Sequence, residues 1–121
     1  MHPNGLLWAQ MDGVALSWMN AYINGRAVTE RAGYQVETNA LWYNAICFAL
    51  EMEKRRGGDK AFVAKWTPIA QLVKDNYTKV FFNERLGYLA DYVDDNGQNM
   101  EVRPNQLCAI WVKHSPVEEE L

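Results

Sequence analysis

Few side chains in this 121-residue sequence could serve as nucleophiles or metal ligands. Two cysteines, Cys47 and Cys108, and two histidines, His2 and His114, do not fall at zinc-ligand spacing. Ser17 lacks the neighbouring His and Asp that a hydrolytic triad needs. Asp91, Asp94, Asp95 and Asn96 crowd together without the spacing or closing glutamate of a calcium loop, and read as a solvated turn. His2 is near-terminal and His114 precedes Ser115-Pro116, so neither is assigned a catalytic part. What stands out is flat rings. Five tryptophans in so short a chain imply a thick core, or a surface that stacks on something flat.

Charge and composition narrow the partners. Twelve Lys and Arg against fifteen Asp and Glu leave a net charge of −3, which excludes a nucleic-acid partner held by a broad basic face. No run of about 18 apolar residues is present, so no membrane span is expected. The first residues lack the charged and apolar regions of a signal peptide. Cys47 and Cys108 both lie in apolar runs and read as reduced core thiols of a cytoplasmic protein. Area scaling for 13.9 kDa gives a folded surface of roughly 6,700 Å² against ~20,000 Å² unfolded, enough burial for a core.

The elements that would position these groups follow from periodicity. Residues 1–34 are broken by Gly5, Gly13, Gly25 and Gly33 and read as a loop and hairpin region. Leu6-Leu7-Trp8 and Val14-Ala15-Leu16 could be short strands, and Asn24-Gly25 signals a type I′ hairpin turn. A helix is expected over 36–56, with Glu37 in its first turn, Lys54, Arg55 and Arg56 in its last, and Gly57-Gly58 ending it. Its residues 40–50 contain one polar side chain, Asn44, so it is apolar all round and needs covering by more protein or by another copy. Asp59 is a candidate N-cap for a second helix. Phe62, Trp66, Ile69, Val73, Tyr77 and Val80 form its amphipathic stripe, and Pro68 is expected to break it in two. Residues 87–93 alternate like a short strand, ended by a turn at 94–97. Pro104 would open a last helix reaching about Val112, and Glu118-Glu119-Glu120 is a solvated tail. The expected fold is therefore all-α with minor short β-hairpins, three to four helices in all, the helices and one short strand lying in residues 35–121.

Two stretches carry a family resemblance. The first is Leu-Ser-Trp-Met-Asn-Ala (16–21), followed by Val-Thr-Glu-Arg-Ala-Gly-Tyr-Gln-Val-Glu-Thr-Asn-Ala-Leu-Trp-Tyr-Asn-Ala (28–45). The second is Gly-Tyr-Leu-Ala-Asp-Tyr-Val-Asp (87–94) with Arg-Pro-Asn-Gln-Leu (103–107). In this order they resemble the C-terminal amylo-alpha-1,6-glucosidase domain of bacterial and archaeal glycogen debranching enzymes, over nearly the whole chain. The resemblance implies a six-hairpin α/α barrel, of which 121 residues would be an internal slice, a single partial domain. It also implies a branched alpha-glucan such as glycogen or limit dextrin as partner, inverting hydrolysis by two carboxyl groups, and no cofactor or metal.

Carried over residue by residue, the resemblance places the family's proton-donating Asp at Asn20, where an amide cannot supply an acid proton. Either another carboxylate serves, with Asp12 and Glu37 the nearest, or the parent binds glucan without cleaving it. The second carboxylate would lie outside the chain, so the isolated chain should be inactive. As sugar-contacting residues the resemblance implies the aromatics Trp18 and Trp42 and the polar Glu37, Asn39, Arg103, Asn105 and Gln106. Each has a plainer rival role. Trp42 sits in an apolar helix, Glu37 suits a helix N-terminus, and Arg103 could be a surface ion pair. Tyr88 and Asp91 read mainly as structural, and Trp66 as core. An incomplete barrel would also expose apolar surface and so tend to self-associate.

Overall fold

The centre of the molecule is a helical hairpin, seen in a computed structural model that describes residues 1–121. Helix α1 is Val36–Arg55 and helix α2 is Lys60–Phe81. Glycines 57 and 58, both with positive φ, make the connection. The side chain of Asp59 then accepts from Ala61 N at 2.9 Å and Phe62 N at 3.2 Å, satisfying two free donors of α2. The break expected at Pro68 does not occur; α2 runs through it. Both Pro68 and Ala64, whose carbonyl loses its usual partner, lie on the solvent-exposed side of the helix, where the lost bond costs least, and the helix continues.

Val36, Ala40 and Ile46 of α1 meet Ala70, Val73, Tyr77 and Phe81 of α2 in one core, closed by Leu6, Ala90 and Ala109. Tyr77 is fully buried, and its hydroxyl donates to Val36 O at 2.8 Å. Trp42 and Trp66 meet edge to face at 5.8 Å, and the Trp42 indole donates to Gly5 O at 3.0 Å. Cys47 and Cys108 are free thiols packed against this core.

The remainder departs from the expected all-α fold, and the barrel slice is corrected with it: the chain is mixed α/β. Eight strands of two or three residues accompany three helices. Strands β1 (Trp8–Ala9), β4 (Gly33–Gln35), β7 (Tyr92–Asp94) and β8 (Gly97–Asn99) form one antiparallel sheet in the order β1-β4-β7-β8. Its register pairs Trp8 with Tyr34, Tyr34 with Val93 and Tyr92 with Asn99. Strands this short show no period of their own; partners up to 59 positions away (93 − 34) hold them in place. Gly33 is indispensable to the register. Its φ is +80°, and a Cβ there would lie 2.2 Å from Val93 O.

Two small hairpins complete the chain. Strands β2 (Tyr22–Ile23) and β3 (Arg26–Ala27) pair across the expected Asn24-Gly25 turn, whose φ values are 52° and 75°. Strands β5 (Phe82–Asn83) and β6 (Tyr88–Leu89) form the other. The single strand expected over 87–93 is thus divided between two sheets, with Ala90 and Asp91 fully buried at the crossing. A 3-10 turn at Pro104–Leu107 leads into helix α3, Cys108–Trp111, in place of one regular helix. Total exposed area is 7746 Å², above the scaling value for this mass. Phe48, Ile110 and Trp111 are among the large apolar side chains left exposed.

Candidate functional site

The crossing at Ala90-Asp91 lies beside the start of α1, and a polar cluster is built there. Arg31, two residues before β4, has 1% of its surface exposed. Its guanidinium grips Glu37 with two bonds of 2.6 Å. The same group donates from Nε to Asp91 Oδ2 at 3.0 Å and from Nη2 to the Asp91 carbonyl at 2.9 Å. Burial alone would lower the guanidinium pKa. The hydrogen bonds and charges of Glu37 and Asp91 outweigh it and hold the group above its ordinary value.

Asp91 carries more than this one pair. It also takes an ion pair from Arg103, which reaches Glu101 with its other nitrogen, and a bond of 2.7 Å from Asn105 Nδ2. The amide oxygen of Asn105 in turn accepts from the Trp18 indole at 2.8 Å, and its nitrogen lies 3.4 Å from the sulfur of Met19. Glu37, Asp91 and Asn105 are all buried, whereas the Trp18 side of the cluster opens to solvent, with 63% of that residue exposed. The result is a rigid charged base under one accessible aromatic ring.

Beside it, Gln10, Met11, Asp12, Glu30, Ala32, Tyr92 and Asp94 line a polar cleft of about 270 Å³. Burial, with the charge of Asp94 adding to it, raises the Tyr92 phenol above its usual range.

The amylo-alpha-1,6-glucosidase family model matches residues 1–121 of this sequence. The chain belongs to the amylo-alpha-1,6-glucosidase family. It is a domain related to the glycogen-debranching glycoside hydrolases. No curated protein and no solved structure matches it.

In this amylo-alpha-1,6-glucosidase-family chain the residues singled out from sequence divide into two groups. Trp18, Glu37, Arg103 and Asn105 converge on Asp91 through the bonds just described. Gln106 sits beside them and turns back, accepting from Arg103 N at 3.2 Å and donating to Glu101 O at 2.7 Å. Asn20 is exposed on the same loop, two residues beyond Trp18. Asn39 and Trp42 are elsewhere. The Asn39 amide is fully buried and spent on Leu7 N, Leu7 O and Gln35 O, and Trp42 packs into the helical core.

Asp91 and Arg31 stand outside the sugar-contacting set that the resemblance implies. Asp91 is fully buried, not part of a solvated turn; Arg31 and Arg103 neutralise it, which a sequence window around 91–96 cannot display. Arg31 was visible within the matched run, and a cation six residues before Glu37 with Gly33 between them was the available signal.

Proposed function

We propose that this chain supplies part of the sugar-contacting face of a glycogen-debranching alpha-1,6-glucosidase, with branched alpha-glucan as its ligand. One observation carries the reading. Trp18 is held by its indole edge on a buried ionic base while most of the residue is open. A pyranose offers an apolar face to such a ring and hydroxyls to polar groups around it. Arg103 and Gln106 border an adjoining hollow with Tyr88, Pro104 and Leu107, and Asn20 is within the same loop as the ring.

For hydrolysis, an acid must donate to the leaving oxygen and a base must activate water. Asn20 provides neither. Glu37 has both oxygens committed to Arg31, which leaves Asp12, exposed and lining the polar cleft, as the better-placed substitute within the chain. The opposing carboxylate is assigned to the rest of the enzyme, and the isolated chain is expected to release no glucose. The asparagine at position 20 favours a second reading, glucan binding without cleavage.

Calorimetric titration with limit dextrin tests the binding. The chain should bind, and Trp18→Ala should weaken binding at least about tenfold, in line with losing a buried-edge bond and a stacking ring. No heat of binding from the unaltered chain would remove the glucan reading. In the full-length polypeptide, Asn20→Asp should create or raise glucose release if position 20 is the acid's place. An unchanged, already measurable rate would move the acid elsewhere, with Asp12→Asn as the next variant to assay.

A further inference from the structure

The loop that carries Trp18 has little to hold it. Residues 11–20 form no strand or helix. Within the neighbourhood, Gly13 N donates to Glu30 at 3.0 Å and Ala15 N to the Tyr22 hydroxyl at 2.7 Å. Beyond residue 30 every hydrogen bond from this loop goes to a single side chain, Asn105, which meets Trp18 and Met19 across 87 and 86 positions of sequence.

The chemistry at position 105 is demanding. One neighbour, the Asp91 carboxylate, can only accept; the other, the Trp18 indole, can only donate. The residue between them must present a donor on one side and an acceptor on the other. An amide does this, and here its orientation follows from its partners: Nδ2 must face Asp91, so Oδ1 must face Trp18. Aspartate would set a second carboxylate against Asp91, and leucine would leave both partners unmet. Arg31 and Arg103 hold both oxygens of Asp91 in place, so the amide is clamped to a charged, buried group and cannot easily turn over.

We infer that Asn105 is a positioning residue: it transmits the rigidity of the Arg31–Asp91–Arg103 base to the Trp18 loop and sets the angle of the exposed ring. This rests on the reading of Trp18 as a sugar platform, and it assigns Asn105 to holding that platform instead of touching the sugar. Its burial agrees, since 2% exposure leaves almost nothing for a ligand to meet. Met19, which touches the same amide, is held along with the ring and keeps the loop from rotating about one bond.

The test uses the indole proton of Trp18, identified in a nitrogen–proton correlation spectrum by its disappearance in Trp18→Phe. In the unaltered chain this proton should exchange with solvent at least about tenfold more slowly than that of free indole. Asn105→Leu, which has no acceptor for the indole, should bring it to the free rate and weaken limit-dextrin binding about tenfold, while the backbone amide signals of both helices persist. Should that variant fail to fold, Trp18→Phe keeps an aromatic ring but has no donor, and it should lose glucan affinity by a similar factor with the fold intact. An indole proton exchanging at the free rate in the unaltered chain would overturn the inference, as would unchanged binding in Trp18→Phe. If Asn105→Leu frees the indole proton but the unaltered chain binds no dextrin, the pinning stands and the glucan reading is what falls.

Discussion

The helical hairpin and the strand-and-loop region around it are held by different forces. Between α1 and α2 the contacts are apolar, and the nearest neighbours in space are on two elements joined by a short glycine turn. Around β4, β7 and the 3-10 turn, residues 31, 37, 91, 103 and 105 are drawn together by charge and hydrogen bonds across as many as 74 positions (105 − 31). Burial of apolar area is forgiving of detail, since any fitting hydrophobe contributes. A buried ion network is not forgiving, because one missing partner leaves the others desolvated and unpaired. The apolar half provides a frame; the polar half provides one defined geometry at the base of Trp18.

The comparison is broken most severely at Arg31. Arg31→Ala leaves Glu37 and Asp91 buried without their shared cation and should cost about 3–5 kcal/mol, read as a lower denaturant midpoint. A loss below about 1 kcal/mol would mean that the charge network is not what holds the sheet region.

The hairpin has its own titration. Burial, reinforced by the negative charge of Glu37, raises the Tyr77 phenol well above its ordinary value of 10.0. In the unfolded chain the phenol ionises near that ordinary value, and in the folded chain only far above it. The stabilisation from keeping it neutral is therefore complete below pH 10 and is lost as pH rises beyond it, by up to about 1.4 kcal/mol per pH unit. Denaturant unfolding at a series of alkaline pH values should show this slope added to those of the raised Tyr43, Tyr92 and Cys108, and Tyr77→Phe should reduce it by that one share. An equal slope in the variant would assign the effect to other groups.

The smallest change expected is at the entry to α2. Asp59→Ala removes the acceptor for two backbone donors and should cost about 1 kcal/mol in denaturant melts, without altering the Trp18 indole signal. A shift of that signal would show the two regions to be coupled more tightly than their separate contacts imply.

Much of the hairpin was legible beforehand. The α1 boundaries, the glycine stop, the Asp59 cap and the Asn24-Gly25 turn all express interactions within a few residues. The break expected at Pro68 is absent because the residue's tolerance depends on which face of α2 meets water, and that is set by the fold. The all-α expectation failed because strands of two or three residues contain no period to detect. At the site, Trp18, Glu37, Arg103 and Asn105 stand in the matched blocks, but Asp91 reads either as a solvated turn or as a structural strand residue, and Arg31 has no role of its own.

Local spacing determined the helices, their ends and the family blocks, because backbone hydrogen bonding and capping act over three or four residues. Only the tertiary structure decided which polar groups lie buried and against whom. Desolvation and pairing are properties of the assembled surroundings, and Asp91 becomes the hub of a site only once Arg31, Arg103 and Asn105 have been folded around it.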